Sequence, residues 1–560
     1  MGTRTIYYNG AVYTGALPLA QAFVVENGRF LFAGTSEEAR SVAQEGDSLV
    51  DLQGRFVCSG FNDSHMHLLN YGNMLNAAQL ACRTGSLADM IQCLREYKET
   101  HLSSQKTGGT ETSAEDREPV NSGDFSDTWI IGRGWNQDFF TDVHRMPDRF
   151  DLDKVSMHVP ICAIRACGHC LVVNSMALKL LGVTAETRQP DGGCIGMEQG
   201  RPDGRFYDNA MDMVFDKIPA PDKEELKHMV LEACRALNAC GITSCQSDDY
   251  GAFQNVSWRQ VNQVYKELEQ SGQLTVRVYE QSNFSDLAAL KEFVEEGNNT
   301  GTGSDMFRIG PLKMVGDGAL GARTAYLSRP YMDEPSVEGF PLYSQETMDE
   351  MVSYAHSRGM QAAIHAIGDA CLDRVLHAYE RALEEHPGRN HRHGIVHCQI
   401  TRPDQLEKIA SLGLHVYAQG IFLDYDSRIV EERVGKELAS SSYSWKTLMK
   451  NGVSVSNGSD CPVENPDVLR NIQCTVTRMP LDGCRPPYLP EQGFTVQEAL
   501  DSYTICGARA SFEEEKKGCI RPGMLADFVV LEQNPFETVE DKIKDISVCA
   551  TYLGGRKIFG

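Results

Sequence analysis

Apolar residues along the chain fall into short runs of two kinds. Over residues 1–57 the runs TIYYNGAVYT, AFVVENGRFLFAG and SLVDLQGRFV are broken by turn signals at Asn9-Gly10 and Asn27-Gly28, the pattern of a small antiparallel sheet joined by hairpins. The same character returns in KGCIRPGMLADFVVLE and SVCATYLGGRKIFG. Residues 1–57 and 505–560 are therefore predicted to pair into one small β-sandwich domain. Between them, over 58–504, strand-like runs recur, each followed by a helix-like segment: FVCSGFNDSHMH, GITSCQSDD, LTVRVYEQS, FRIGPLKMV, MQAAIHA, HGIVHCQ, LHVYAQG and VSVSNGSD. Strand–helix units at this spacing predict an α/β chain, a (β/α)8 TIM-like barrel. Only the step from the first run to the second is too long, by about 150 residues beyond one unit, which predicts an insertion at 75–225 between strands 1 and 2. Within it, residues 103–127 are polar and nearly free of large apolar side chains, and a mobile surface loop is expected there.

Composition narrows the class of partner. Lys and Arg total 53 against 77 Asp and Glu, a net charge of −24, which repels nucleic acid and anionic membrane surfaces. No run of apolar residues is long enough to cross a bilayer as a helix, and the first residues lack the pattern of a signal peptide, so a cytoplasmic protein acting on a small molecule is expected. A homodimer is the default for such a chain. The 18 cysteines show no disulfide framework and read as buried small hydrophobes or free thiols. Cys167-Gly-His-Cys170 has the C-x-x-C spacing of redox proteins, but it runs into LVVNSMALKLLG, where Asn174 and Ser175 look like the helix cap instead.

In GFNDSHMHLL, His65 and His67 are two residues apart. On a strand such residues share a face about 6–7 Å apart, close enough to chelate one ion. The spacing alone carries little weight, because His391 and His393 repeat it in HPGRNHRHG, where Pro387, Gly388 and Asn390 mark a loop. Company gives it weight. The fourth strand ends in Lys313, the fifth in His365, the sixth in His397 and the eighth in Asp460, at the barrel end that carries active sites. Each alone reads equally well as a satisfied core histidine, a snorkelling lysine or a capping aspartate; such residues have no common reason to choose one end of five strands. The nitrogen and oxygen donors suit Zn2+ or a similar divalent ion. A lysine joins such a set as a carbamate, formed when its neutral amine captures carbon dioxide, and that anion can bridge two ions.

This order of residues resembles the amidohydrolase superfamily and, more narrowly, its amidohydrolase 3 or YtcJ-like family, which includes N-substituted formamide deformylases. The similarity is carried by GFNDSHMH, GRGWNQ (132–137), RACGHCLVVNSMAL (165–178), KMVGDGALGARTAYL (313–327), HAIGDACLDRVLHAYE (365–380), GSDCPV (458–463) and RPGMLADFVVLEQNP (521–535). The resemblance implies that His65 and His67 bind the more buried ion, that carbamylated Lys313 lies between two ions, that His365 and His397 bind the second, and that Asp460 contacts the first and acts as base. It departs from the family pattern at Asp208 in GRFYDNA and at Val396 before His397, changes that bear on substrate more than on metal. The expected reaction is hydrolysis of a C–N amide-type bond in a small N-acyl, N-formyl or cyclic amide compound by a metal-activated hydroxide. A mononuclear deaminase or related metal-assisted reaction is the alternative, and a non-catalytic scaffold the outside reading. Trp135 at a lid, His169 in the insertion, and Asp317 and Arg323 in the active-site loop GDGALGART are candidate substrate contacts; that loop lacks the G-K-[ST] ending of a phosphate loop. Asp369 reads as a helix cap or an outer partner of the metal site.

Overall fold

The computed structural model describes residues 4–83, 85–104, 128–166, 170–190, 193–388 and 390–560. It divides into two compact units, residues 1–71 with 226–560, and residues 72–225.

The first unit is built on eight parallel strands: Phe61–Met66, Ile242–Ser247, Arg277–Asn283, Phe307–Val315, Ala362–Ala366, Gly394–His397, His415–Ala418 and Ser454–Asn457, hydrogen-bonded in chain order. Most positions along them are buried, as parallel strands covered on both faces require. The barrel is drawn closed where the first strand meets the turn after the eighth. The Asp460 amide donates to the His65 carbonyl at 2.8 Å, and the His67 amide to the Cys461 carbonyl at 2.8 Å. Asp63 accepts from the Ser459 amide and, at 2.5 Å, from its hydroxyl. Gly458 makes this approach possible, since a Cβ there would lie 2.5 Å from the His65 nitrogen.

Two further sheets in this unit draw on both chain ends. One has four strands in the order Arg29–Gly34, Ala22–Glu26, Thr5–Tyr8, Ser48–Asp51; the other has five, Ala11–Val12, Phe56–Ser59, Phe528–Leu531, Val548–Leu553 and Arg556–Phe559. Between them lies an aromatic core in which Tyr7 stacks on Phe23 at 4.7 Å and Phe528 on Tyr552 at 4.2 Å. Arg277 on the third barrel strand ties this region to the barrel through a buried two-pronged pair with Asp527, at 2.6 and 3.0 Å.

Three details correct the sequence reading. Asn27-Gly28 does join two paired strands, but Asn9-Gly10 does not: the strands on either side of it enter different sheets. The run FVCSGFNDSHMH is two strands, not one. It breaks at Gly60, whose Cβ would lie 2.3 Å from the Thr243 hydroxyl, so Phe56–Ser59 pairs with the C-terminal segment and Phe61–Met66 opens the barrel. The second barrel strand, expected from the sequence to end at Cys245, runs two residues further, to Ser247, and so delivers Asp248 rather than a cysteine to the functional end.

The second unit has a six-stranded sheet, Gly193–Glu198, Arg201–Asp208, Cys170–Val173, Ile161–Arg165, Ile130–Trp135 and Ala78–Gln79, with apolar clusters on its faces. Asn174 caps the helix Ser175–Leu181 by accepting from the Ala177 amide. Cys170 lies within a strand; Cys167, Gly168 and His169 fall outside the described residues, as does the 103–127 segment beyond its first two positions. Among the described residues, no helix is long and apolar enough to cross a membrane.

Candidate metal centre

The C-terminal ends of the barrel strands bring together His65, His67, His365, His397, Lys313 and Asp460. The ring centroids run as a chain, with His67 5.3 Å from His65, His65 5.6 Å from His397 and His397 4.5 Å from His365. Donor atoms of His65, His67 and Asp460 lie within 4.8 Å of one another, the one such group of three among the described residues.

Which nitrogen of each imidazole is free follows from its outer partner. His65 Nδ1 is 2.7 Å from Gln281 Oε1, and the Gln281 amide nitrogen donates to the Ser64 carbonyl. That second bond fixes the carboxamide with its oxygen toward the ring, so Nδ1 carries the proton and Nε2 a lone pair. The same arrangement recurs at His397, where Nδ1 meets Gln419 Oε1 at 2.7 Å while the Gln419 nitrogen donates to the Tyr417 carbonyl. His67 Nδ1 donates to the Asp248 carbonyl at 3.1 Å. His365 is turned the other way round: Nε2 donates to the Gly318 carbonyl at 3.2 Å with Asp317 Oδ1 also 3.2 Å away, which leaves Nδ1 its lone pair.

Asp460 Oδ1 is 3.3 Å from His65 Nε2 and 3.1 Å from His67 Nε2. Lone pairs on three converging atoms repel unless a cation or a shared proton sits between them. Protons alone could settle the conflict. Burial and the Lys313 charge push His65 down to about 4, so it stays neutral. For His67 burial acts downward, but the hydrogen bond and charge of Asp460 outweigh it and raise the imidazole to about 9. Burial acts upward on the Asp460 carboxyl, yet the neighbouring imidazoles of His65 and His67 hold it well below the usual carboxylate range. Burial, and then the neighbouring His365, keep His397 neutral by holding its imidazole well below its ordinary value. A divalent cation would replace the proton shared by His67 and Asp460, so the donor set fits such an ion.

The backbone is strained at the same place. His397, Cys398 and Asp460 have φ of 75°, 51° and 57°, a region that side-chain-bearing residues avoid unless the surroundings impose it. The Trp445 indole donates to the His397 carbonyl at 3.0 Å and helps hold that turn. The centre is reached from one side: the side chains of His67, His365 and Asp460 are 24, 14 and 10% exposed, those of His65 and Lys313 at most 2%.

The remaining candidates take other places. Asp317 is fully buried and accepts from the Ile367, Gly368 and Tyr326 amides as well as facing His365; it orients a ligand candidate rather than facing solvent. Arg323 pairs with Asp333 at 2.6 Å. Trp135 is enclosed in the core of the second unit, its indole donating to the Ala163 carbonyl at 2.9 Å, so packing accounts for it. His169 lies outside the described residues. Asp369, the first residue of its helix, pairs with Arg402 at 2.8 Å. His391 and His393 belong to a separate cluster, in which His393 Nε2 meets His356 Nδ1 at 2.9 Å.

The sequence reading did not assign Gln281, Gln419, Asp63 or Asp248. The first two stood at recognised strand ends, which was the available signal. Asp63, pushed up to about 7 by burial and then by the Asp460 charge against the hydrogen bonds it accepts, holds the barrel closure.

The model of the amidohydrolase family matches residues 48–559. The chain is similar to a putative amidohydrolase, YtcJ, of Bacillus subtilis (29% identity, 99% of each chain) and to an N-substituted formamide deformylase of Arthrobacter pascens (25% identity, 96% of this chain and 94% of the relative). Among solved structures it resembles an uncharacterised metal-dependent hydrolase of Pyrococcus horikoshii (26% identity, TM-score 0.77, 96% of this chain and 99% of the other).

Proposed function

The chain belongs to the amidohydrolase family, and from that premise we propose that it is a metal-dependent hydrolase cleaving a C–N amide-type bond of a small N-acyl, N-formyl or cyclic amide substrate. The observation that carries the reading is the convergence of His65 Nε2, His67 Nε2 and Asp460 Oδ1, aimed at one another by their surroundings with a single proton shared between His67 and Asp460. The A. pascens relative, named for formamide deformylation, supports the choice of bond.

His65, His67 and Asp460 would hold the first ion and His365 Nδ1 and His397 Nε2 the second, with Lys313, carboxylated by addition of carbon dioxide to its neutral amine and loss of one proton, shared between the two. Zinc or a similar ion, when bound, supplies a Lewis acid for the carbonyl and lowers the pKa of water to about 7. Asp460, at the open edge of the centre, accepts the proton of the attacking water and passes it to the departing nitrogen. The outer partners keep the imidazoles from rotating during the reaction.

Elemental analysis of the purified protein beside the His65→Ala, His67→Ala double variant tests the reading. About two equivalents of a divalent ion, lost in the variant, with turnover of formamides or N-acyl amines, support it; no ion after supplementation removes it. A single-ion deaminase is the second reading, favoured by the fact that, among the described His, Cys, Asp and Glu side chains, His65, His67 and Asp460 group within 4.8 Å without His365 or His397. One equivalent and ammonia release would select it.

A further inference from the structure

We propose that Asp248 is a positioning residue of the metal centre, the side chain that presents Lys313 to the ions; the proposal rests on the two-ion reading above. Asp248 follows the second barrel strand, and its amide donates to the Met66 carbonyl at 2.9 Å, fixing its backbone against the first strand. Its own carbonyl accepts from His67 Nδ1 at 3.1 Å. Its carboxylate Oδ2 lies 3.3 Å from Lys313 Nζ on the fourth strand and accepts from Asn283 on the third at 3.1 Å. One buried residue thus fixes a histidine through its backbone and the lysine through its side chain.

The character of the contact separates this role from plain structural pairing. Asp527 and Arg277 show what a structural ion pair looks like in this chain, with both oxygens engaged at 2.6 and 3.0 Å. Asp248 instead meets Lys313 through one oxygen only, at 3.3 Å, longer than the roughly 2.7–2.9 Å of a strong charge-assisted bond, and its Oδ1 is buried without a hydrogen-bond partner among the described residues. That pairing holds the amine in place but leaves it free to change partner when ions arrive.

The experiment titrates Zn2+ into chelator-stripped full-length protein against a competing chromophoric chelator, for the wild type, Asp248→Asn, Lys313→Met and the double variant. The expected result is two equivalents in the wild type and, in Asp248→Asn, a second equivalent weakened about 10–100-fold, the usual effect of losing an outer partner, with the first unchanged. The double variant then binds no more weakly than Lys313→Met. Two equivalents at wild-type affinity in Asp248→Asn overturn the proposal alone, as does further loss in the Lys313→Met background. One equivalent in the wild type overturns the two-ion reading and this proposal together. Asp248→Glu, which keeps the charge but displaces it by one methylene, carries the test in case the Asn variant does not fold: a weaker second equivalent supports the proposal, an unchanged one overturns it.

Discussion

Two of the four imidazoles in the centre are aimed by neutral carboxamides, Gln281 and Gln419, rather than by carboxylates. A carboxamide fixes the tautomer without adding negative charge, which matters where Asp460 already supplies one. Gln281→Leu or Gln419→Leu removes that aim, and the expected loss is about 10–100-fold in metal affinity, read by chelator competition. Replacement by Glu, which keeps an acceptor oxygen, should recover most of it; a Leu variant that binds metal like the wild type would show the carboxamides to be packing only. A second residue-scale expectation concerns Asp426, which burial raises to about 6 against hydrogen bonds from Tyr443 and Gln399. Because the folded carboxyl binds its proton more tightly than the unfolded one, its contribution to stability is complete below pH about 4 and is lost as pH rises through about 6. Asp426→Asn should flatten the fall in melting temperature across that window, by an amount on the order of 2–3 kcal/mol at pH 7.

At the scale of elements, the strands that carry candidate ligands were legible because each is an apolar run with a chemically distinctive residue at or near its end. His397 ends its strand, Lys313 and His365 stand two residues and one before the ends of theirs, and Asp460 lies three past the last. What spacing could not reveal were the groups that reach across the barrel. Gln281 lies 216 residues from His65 and Asp63 lies 396 from Ser459, and no local period joins positions so distant. The His391–His393 pair shows the converse, since its spacing copies a metal motif while its bonds go to His356 and to the Ala362 amide. Boundaries failed where a glycine carried meaning that a run of apolar residues hides, as at Gly60. Gly458 is the sharper case. An added Cβ meets the His65 nitrogen at 2.5 Å and its carbonyl oxygen at 2.8 Å, and neither backbone atom can yield without moving a ligand. Gly458→Ala should cost about 1–3 kcal/mol in a denaturation midpoint and lower the retained metal, whereas the same change at exposed Gly272, which has open space but a φ of 70°, should lower stability without touching metal content.

The molecule as a whole depends on groups far apart in the chain finding one another. Asp527→Ala leaves Arg277 buried and unpaired, at an expected cost of about 3–5 kcal/mol, visible as a lowered unfolding midpoint with the metal centre's ligands all intact. The strand Phe528–Leu531 lies beside Phe56–Ser59, and one glycine later the chain becomes the strand that bears His65 and leads into His67. During synthesis, then, the segment leading into the first two ligands emerges from the ribosome almost five hundred residues before the neighbour that completes its sheet. A nascent chain presents its histidine pair early but gains a finished frame for it only near the end of translation. A chain ending before Phe528 would present the candidate ligands without the strand that completes the sheet leading into them.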